Sequence, residues 1–363
     1  MISTPTALPK DRLRVPEWIR VTLPNSPVFS QTANLIDDLG LHTVCESAKC
    51  PNRTECWNRG TATFMIAGDR CTRACGFCAV TTAKPFALEA DEPQRVAEAA
   101  KRMKLQHVVI TGVARDDLAD GGANHYAETV RALKRLCGDI IIEVLTSDLG
   151  GQRESIQTVL DAQPDVFNHN LETVRRLTPS VRSRATYDRS LEVLAMAKKM
   201  DVQTYTKSGI MLGLGETEAE VLEALLDLRR VGCDILTLGQ YLQPTLKHLP
   251  VREFVPPARF AYLAFLARQL GFVHVASGPM VRSSYHADDF TPARRDRVSG
   301  TPPSLAASAQ AHRHGGRRSN SSSDSPSPLS SPSEGRGNPD PRPSDKAPSP
   351  LAGEGRVRGV VPS

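Results

Sequence analysis

Runs typical of buried strands alternate with runs typical of amphipathic helices between Thr61 and Pro279. Six strands are predicted, at residues 62–67, 107–112, 140–145, 166–170, 204–212 and 235–241. Six βα units in succession predict one parallel sheet with right-handed crossovers, because each helix returns the chain to begin the next strand in the same direction. The chain is therefore predicted to be an α/β protein whose chemistry lies at the C-terminal ends of its strands.

Helix boundaries are marked by specific residues. Thr217 and Glu220 form a capping-box pattern ahead of residues 221–231, and Gly232 supplies the stop. Pro93 stands near the first turn of a helix predicted over residues 94–103, and a third well-marked helix is predicted over residues 258–270.

The composition changes sharply after Phe290. Residues 291–363 contain no Phe, Trp or Tyr and are dominated by Ser, Pro, Gly and Arg. Such a segment buries too little apolar surface to offset its ordering entropy, so it is predicted to be a disordered tail. The predicted division is an N-terminal extension (1–60), an α/β domain (61–290) and this tail (291–363), and the pattern alone does not say whether the sheet closes into a barrel.

The overall charge excludes some classes of partner. A net charge of +5 spread along 363 residues favours neither nucleic acid nor a membrane surface. No stretch has the roughly 20 apolar residues of a membrane helix, and the N-terminus lacks the apolar region of a signal peptide. A cytoplasmic protein is expected.

Six of the eight cysteines lie between Cys45 and Cys78. In a reducing compartment such a concentration indicates metal chemistry and not a disulfide framework. Cys137 and Cys233 lie in apolar helical patterns and are interpreted as small buried thiols.

The first cysteine motif is Cys71-x3-Cys75-x2-Cys78, directly after the first predicted strand. Three thiolates on one loop can hold three irons of a [4Fe–4S] cluster and leave the fourth iron open to a cofactor. A zinc site or an ordinary ferredoxin cluster is the alternative, but each calls for a fourth protein ligand.

The second motif is Cys45-x4-Cys50-x5-Cys56, on a short polar segment upstream. A structural zinc loop is the alternative here. Two complete three-cysteine sets within 34 residues make accidental spacing improbable.

The Cys71–Cys78 spacing after the first strand resembles the radical S-adenosylmethionine superfamily. The resemblance implies a [4Fe–4S] cluster whose open iron binds S-adenosylmethionine. It also implies that reductive cleavage yields a 5′-deoxyadenosyl radical, which removes hydrogen from unactivated carbon.

The two cysteine sets together, with Arg282-Ser283-Ser284-Tyr285 near the end of the folded part, resemble the lipoyl synthase family. The resemblance implies a partial (β/α)6 barrel of the TIM type, preceded by an extension that carries a second, auxiliary [4Fe–4S] cluster. It implies Ser284, with Ser283 as the alternative, as that cluster's fourth ligand. A hard alkoxide is a more labile iron ligand than a thiolate, which suits a cluster that surrenders sulfide.

Other residues at or beyond predicted strand ends carry the same resemblance. Glycines there let the backbone approach a ligand, and polar side chains can bind the ribose, amino or carboxylate groups of the cofactor. The predicted cofactor contacts are Gly121, Gly122, Asn170, Glu172, Arg189, Lys207 and Gly213. His169 is interpreted as a hydrogen-bonded core residue with no chemical step.

The implied reaction is insertion of two sulfur atoms at C6 and C8 of an octanoyl group attached to lysine of a lipoyl carrier domain. The implied partners are the lipoyl domains of 2-oxoacid dehydrogenase E2 subunits and the glycine cleavage H protein, a reductant such as ferredoxin or flavodoxin, and an iron–sulfur carrier protein. A biotin-synthase-like sulfur-inserting enzyme and a non-enzymatic two-cluster electron-transfer protein are the alternatives. The first would lack the Cys45–Cys56 set, and the second would hold each cluster by four protein ligands.

Overall fold

Eight strands form one sheet whose spatial order follows the chain, and seven of them run parallel. The computed structural model describes residues 13–21, 26–285 and 287–290. The predicted tail at residues 291–363 lies outside the described residues, as does part of the predicted extension.

The strands alternate with helices on most of the chain. The strands are β1 His42–Thr43, β2 Thr63–Ile66, β3 Arg70–Cys71, β4 Thr81–Thr82, β5 His107–Gly112, β6 Ile141–Leu145, β7 Val166–Asn168, β8 Tyr205–Leu212, β9 Ile235–Gln240 and β10 His274–Gly278. The helices are α1 Pro27–Asp38, α2 Val44–Ser47, α3 Arg53–Asn58, α4 Glu92–Arg102, α5 Ala123–Cys137, α6 Arg153–Asp161, α7 Thr178–Val181, α8 Tyr187–Met200, α9 Glu218–Arg230 and α10 Pro257–Gln269. Two of the strands, β3 and β4, pair with each other and with no other strand of the described residues.

The order β1-β2-β5-β6-β7-β8-β9-β10 is that of an open barrel. Within the described residues no ladder joins β10 to β1 or β2, so the predicted partial barrel is confirmed. The predicted number of strands was too low. Strand β10 follows β9 in parallel register, and its Gly, Ser and His residues lack the apolar run by which the other strands are recognised.

The extension is joined to the barrel through the sheet itself. His42 and Thr43 of β1 pair antiparallel with Met65 and Phe64 of β2. The cysteines of the extension therefore lie close to the first strand of the barrel.

The predicted helix signals are present. The Thr217 side chain accepts a hydrogen bond from the Glu220 amide, the Glu220 carboxylate accepts one from the Thr217 amide, and together they begin α9. Gly232 follows the end of the helix with φ +81°. None of the helices in the described residues is both long and apolar enough to cross a bilayer.

The apolar core lies between the sheet and its helices and forms two large clusters. One cluster packs against the first half of the barrel, and the other packs against the second half. Polar side chains occupy the deeper part of the barrel instead. There Lys207 Nζ lies 2.8 Å from Glu143 Oε2, and both side chains are buried. This closed lower part leaves the strand C-termini as the open end of the barrel.

Candidate active site

A cavity of about 520 Å³ opens at the C-terminal ends of the strands. Its wall includes residues that follow or end β2, β5, β6, β7, β8 and β9, together with the segment around Ser284. The cavity therefore lies where a barrel of this kind places its chemistry.

The first cysteine set lines this cavity. Cys71, Cys75 and Cys78 all belong to its wall. The Cys71 sulfur accepts hydrogen bonds from the amides of Arg73, at 3.4 Å, and Ala114, at 3.3 Å. Burial, reinforced by the neighbouring cysteines, raises the pKa of Cys78 to about 11. A cationic group is therefore needed to hold Cys78 as a thiolate.

The second cysteine set lines an adjoining cavity of about 60 Å³. Cys45, Cys50 and Cys56 share this wall with Ser284. Burial and the neighbouring thiols raise the pKa of Cys45 to about 11 and that of Cys56 to about 12. Three soft thiolates and one hydroxyl oxygen fit a cluster whose fourth iron is held weakly.

The two serines of the Arg282–Tyr285 segment occupy different places. Ser284 lines both cavities, and its Oγ accepts a hydrogen bond from Thr63 Oγ1 at 2.8 Å. Ser283 lines the larger cavity, and its Oγ accepts from Asn170 Nδ2 at 2.6 Å. The geometry thus brings Ser284, and not Ser283, to the second cysteine set.

The segment that carries Ser284 is fastened to the extension. Asn52 Nδ2 donates to the Met280 carbonyl at 2.7 Å, and Tyr285 Oη donates to Glu55 Oε1 at 2.8 Å. Asn52 directly precedes α3, the helix that contains Cys56, and Glu55 lies within it. These bonds hold the serine and the cysteines in one unit although they are far apart in sequence.

Asn170 and Glu172, two of the predicted cofactor contacts, line the larger cavity. Asn170 Nδ2 donates to Glu172 Oε1 at 3.1 Å, while Asn170 Oδ1 is buried without a hydrogen-bond partner among the described residues. Burial raises the pKa of the Glu172 carboxyl, against the opposing charge of Arg182. A buried acceptor and a buried acid at a cavity wall are suited to a polar, cationic ligand.

The five other predicted contacts are not among the described residues that line this cavity. Arg189 lies 3.4 Å from Asp148, and Lys207 pairs with Glu143 deeper in the barrel. Gly121, Gly122 and Gly213 adopt positive φ values in turns. For these five the structure gives a local packing role and no support for a direct contact.

Some lining residues were not predicted. Arg182 lines the cavity, and its buried Nε has no hydrogen-bond partner in the described part of the chain. Gly209 and Gly239 line it from inside strands, where a glycine indicates a close approach of another group. That signal was available in the sequence, whereas nothing around Arg182 distinguishes it from a surface arginine.

His169 is a hydrogen-bonded core residue, in keeping with its interpretation. Its Nδ1 donates to the Thr146 carbonyl at 3.0 Å, and Nε2 lies 3.1 Å from Ser190 Oγ. Burial lowers the pKa of His169 to about 4, so the ring is neutral near pH 7.

The described residues contain no group of three or more His, Cys, Asp or Glu side chains arranged to hold a single metal ion. The fit to clusters stands on the donor sets and on the cavities between them.

Comparison with known proteins gives the family. A profile described as the radical SAM superfamily matches residues 65–228, and one described as the N-terminal domain of lipoyl synthase matches residues 6–50. A lipoyl synthase of Symbiobacterium thermophilum is 55% identical over 78% of this chain and 89% of its own length. Those of Geobacillus sp. and Rubrobacter xylanophilus are 56% and 54% identical, over 77% and 76% of this chain and 94% and 86% of their own lengths.

These relatives settle what kind of protein this is. They are matched over nearly all of their length, and the aligned part of this chain is long enough to hold both cysteine sets and the barrel. The superfamily match implies an enzyme that uses a [4Fe–4S] cluster and S-adenosylmethionine. The chain belongs to the lipoyl synthase family of radical S-adenosylmethionine enzymes.

Proposed function

We propose that the chain is a sulfurtransferase that inserts two sulfur atoms, at C6 and C8, into an octanoyl group amide-linked to lysine of a carrier domain. One observation carries the proposal. The cavity lined by Cys71, Cys75 and Cys78 shares five wall residues with the cavity of the second cysteine set, and two of the five, Cys50 and Ser284, belong to the auxiliary ligand set. A substrate in the larger cavity would therefore lie between the two donor sets.

The seven ligands divide into two groups. The set that leaves one iron for S-adenosylmethionine is Cys71, Cys75 and Cys78, and the auxiliary set is Cys45, Cys50, Cys56 and Ser284. When bound, the clusters and S-adenosylmethionine would supply the electron, the hydrogen-abstracting radical and the sulfur.

The residues of the cavity wall suit the two kinds of ligand that such a reaction needs. Met65, Val113, Leu145 and Ile210 provide apolar surface for an alkyl chain. Asn170, Glu172 and Arg182 provide the polar side for S-adenosylmethionine.

The expected partners follow from the reaction. They are octanoylated lipoyl domains of 2-oxoacid dehydrogenases and of the glycine cleavage H protein, a reductant such as ferredoxin or flavodoxin, and an iron–sulfur carrier. The division into an extension at residues 1–60, a barrel at 61–290 and a tail, and the cytoplasmic location, stay predictions from the sequence.

The test is an anaerobic assay of the reconstituted enzyme. S-adenosylmethionine, a reductant and an octanoyl-lysine peptide are added, the peptide is followed by mass spectrometry, and 5′-deoxyadenosine is quantified. Gain of two sulfurs with formation of 5′-deoxyadenosine supports the proposal. Formation of 5′-deoxyadenosine without a change in the peptide would contradict the substrate, which is the outcome expected of a biotin-synthase-like enzyme.

Two variants separate the roles of the two sets. Cys71→Ala should abolish formation of 5′-deoxyadenosine. Cys56→Ala should retain that formation and lose insertion of sulfur. Cys137→Ala is the matched control, because that thiol lies away from both cavities among the described residues. Loss of 5′-deoxyadenosine formation in Cys137→Ala, with an intact fold, would contradict the division of ligands.

A further inference from the structure

A loop at residues 243–249 packs directly against the loop that carries Cys71, Cys75 and Cys78. The Leu249 amide donates to the Gly76 carbonyl at 3.0 Å, and His248 Nε2 lies 3.0 Å from the Cys78 carbonyl oxygen. A Cβ added to Gly76 would lie 2.9 Å from Leu249 Cγ, so the two loops are also in close apolar contact. We call residues 243–249 the coupling loop.

The hydrogen bonds fix the tautomer of His248. A carbonyl oxygen can only accept, so Nε2 must carry the hydrogen. In the neutral ring Nδ1 is then an acceptor, and it receives the hydroxyl hydrogen of Thr245, whose Oγ1 lies 2.8 Å away. The chain from the Thr245 hydroxyl through His248 to the Cys78 carbonyl therefore has one hydrogen arrangement.

The coupling loop is itself held in place on its other side. Gln243 Nε2 donates to the His248 carbonyl at 2.8 Å, and Tyr241 Oη donates to the Leu249 carbonyl at 2.7 Å. Tyr241 is almost completely buried just beyond the end of β9. The loop thus connects the sheet to the Cys78 backbone through side chains with defined geometry.

The same loop forms part of the cavity wall. Gln243 and Pro244 line the cavity of about 520 Å³ together with Cys71, Cys75 and Cys78. A ligand that fills this cavity would touch Gln243 and Pro244. His248, five residues after Gln243, is hydrogen-bonded to the Cys78 carbonyl. Contact with the ligand and the position of the cysteine loop are therefore linked through His248.

We propose that His248 is a positioning residue that couples occupancy of the cavity to the cysteine loop, so that the bound octanoyl chain changes the environment of the Cys71–Cys78 site and promotes cleavage of S-adenosylmethionine. The proposal rests on the proposed function, since it requires a cluster on these cysteines and an octanoyl substrate. It assigns His248 no contact with the reacting atoms.

The test compares wild type with His248→Ala in the reconstituted enzyme. Electron paramagnetic resonance spectra of the reduced enzyme with S-adenosylmethionine, and the rate of 5′-deoxyadenosine formation, are recorded with and without an octanoyl-lysine peptide. In wild type the peptide should change the spectrum and raise the rate. In His248→Ala, the stimulation by the peptide should fall by about fivefold to tenfold, the size expected for one lost hydrogen bond, while iron content and the peptide-free spectrum stay as in wild type.

Further variants keep the test decisive. His248→Gln retains an amide donor and should recover part of the stimulation. Thr245→Val removes the bond to Nδ1 and the one that Thr245 Oγ1 accepts from the Lys247 amide at 3.3 Å, but leaves the bond to Cys78 in place. It should give a smaller loss, which tests the proposal if His248→Ala does not fold. Lys247→Ala is the matched control, since its side chain is exposed on the same loop, and it should behave as wild type.

Two results would overturn the coupling while leaving the proposed function intact. One is full stimulation by the peptide in His248→Ala, and the other is loss of the iron itself, which would make His248 a purely structural support. A wild-type enzyme with full iron that forms no 5′-deoxyadenosine under any condition would instead count against the proposed function.

Discussion

Replacing Gly239 by alanine is expected to dislodge the segment that carries Ser284. Gly239 of β9 lies opposite Gly278 of β10, and a Cβ added to it would fall 2.0 Å from the Val281 carbonyl oxygen. Because that oxygen belongs to the backbone, Val281 would have to move by about 1.5 Å to reach an ordinary contact distance. Ser284 is three residues further along and would move with it.

The magnitude follows from the packing. Overfilling a packed site of this kind costs about 1–3 kcal/mol of folding free energy. For a domain of this size that corresponds to roughly 2–4 °C in Tm for each kcal/mol. The effect on the proposed auxiliary site should be larger than the effect on stability, because a ligand displaced by even 1 Å no longer fits a rigid cluster.

The assay is anaerobic reconstitution followed by iron and sulfide analysis and Mössbauer spectroscopy. Gly239→Ala should keep the cluster on Cys71, Cys75 and Cys78 and lose or destabilise the other. Gly278→Ala is the matched control, since a Cβ there would lie 3.5 Å from Val281 Cγ2, an ordinary contact. It should retain both clusters and the wild-type Tm.

The reasoning would be refuted by a Gly239→Ala protein that binds the same iron and melts at the same temperature as Gly278→Ala. Such a result would mean that the Val281 backbone yields at no cost. The position of Ser284 would then not depend on its close approach to β9.

Three further predictions concern the same elements. Ser284→Cys should retain the auxiliary cluster but slow release of sulfur, because thiolate binds iron more firmly than an alkoxide; unchanged formation of product in the peptide assay would count against a role for a labile ligand. Lys207→Met leaves the buried Glu143 carboxylate unpaired and should lower the free energy of unfolding by about 3–5 kcal/mol in urea denaturation; a loss no greater than that of Arg102→Ala, which breaks an exposed pair with Glu98, would contradict this. Burial, assisted by the charge of Arg182, lowers the pKa of His169 from 6.5 to about 4, so between these values the unfolded chain binds the extra proton. Stability should therefore rise as the pH increases from 4 to 6.5 and level off above, with a smaller slope in His169→Gln; equal slopes in the two proteins would show that another group is responsible.

Much of the barrel could be predicted because its strands are fully buried and read as continuous apolar runs. Residues 107–112 and 141–145 belong to strands placed within one residue of their predicted ends. Strand β10 could not be recognised in this way, because only Val275 among its five residues is buried. Strand β10 is recognised by its parallel pairing with β9, which its composition does not indicate.

In the candidate site, too, some residues could be recognised from the sequence and others could not. Cysteines in close sequence spacing share a loop whatever the rest of the fold does, so both sets were recognisable from the sequence. Contacts with a cofactor depend instead on which side chains several distant strands bring together. Gly209 lies within β8 and lines the cavity. Gly213 directly follows that strand and approaches Gln240 and Glu253 instead. The sequence predicts that Gly209 lies within the strand and Gly213 beyond it, but it does not show which distant residues approach each of them.

The bonds that fasten Asn52 to Met280 and Glu55 to Tyr285 have a consequence for the order of assembly during synthesis. Their partners are 228 and 230 residues apart, so a growing chain has all three cysteines of the extension long before it has Ser284. The loop that the two ends enclose is the barrel itself, and only a folded barrel brings those ends together without a large entropic cost. The Cys71–Cys78 set, by contrast, is complete as soon as its own loop has been made. On the proposed ligand assignment, the auxiliary site is therefore finished last, and a complete set of ligands there marks a chain whose folding has finished.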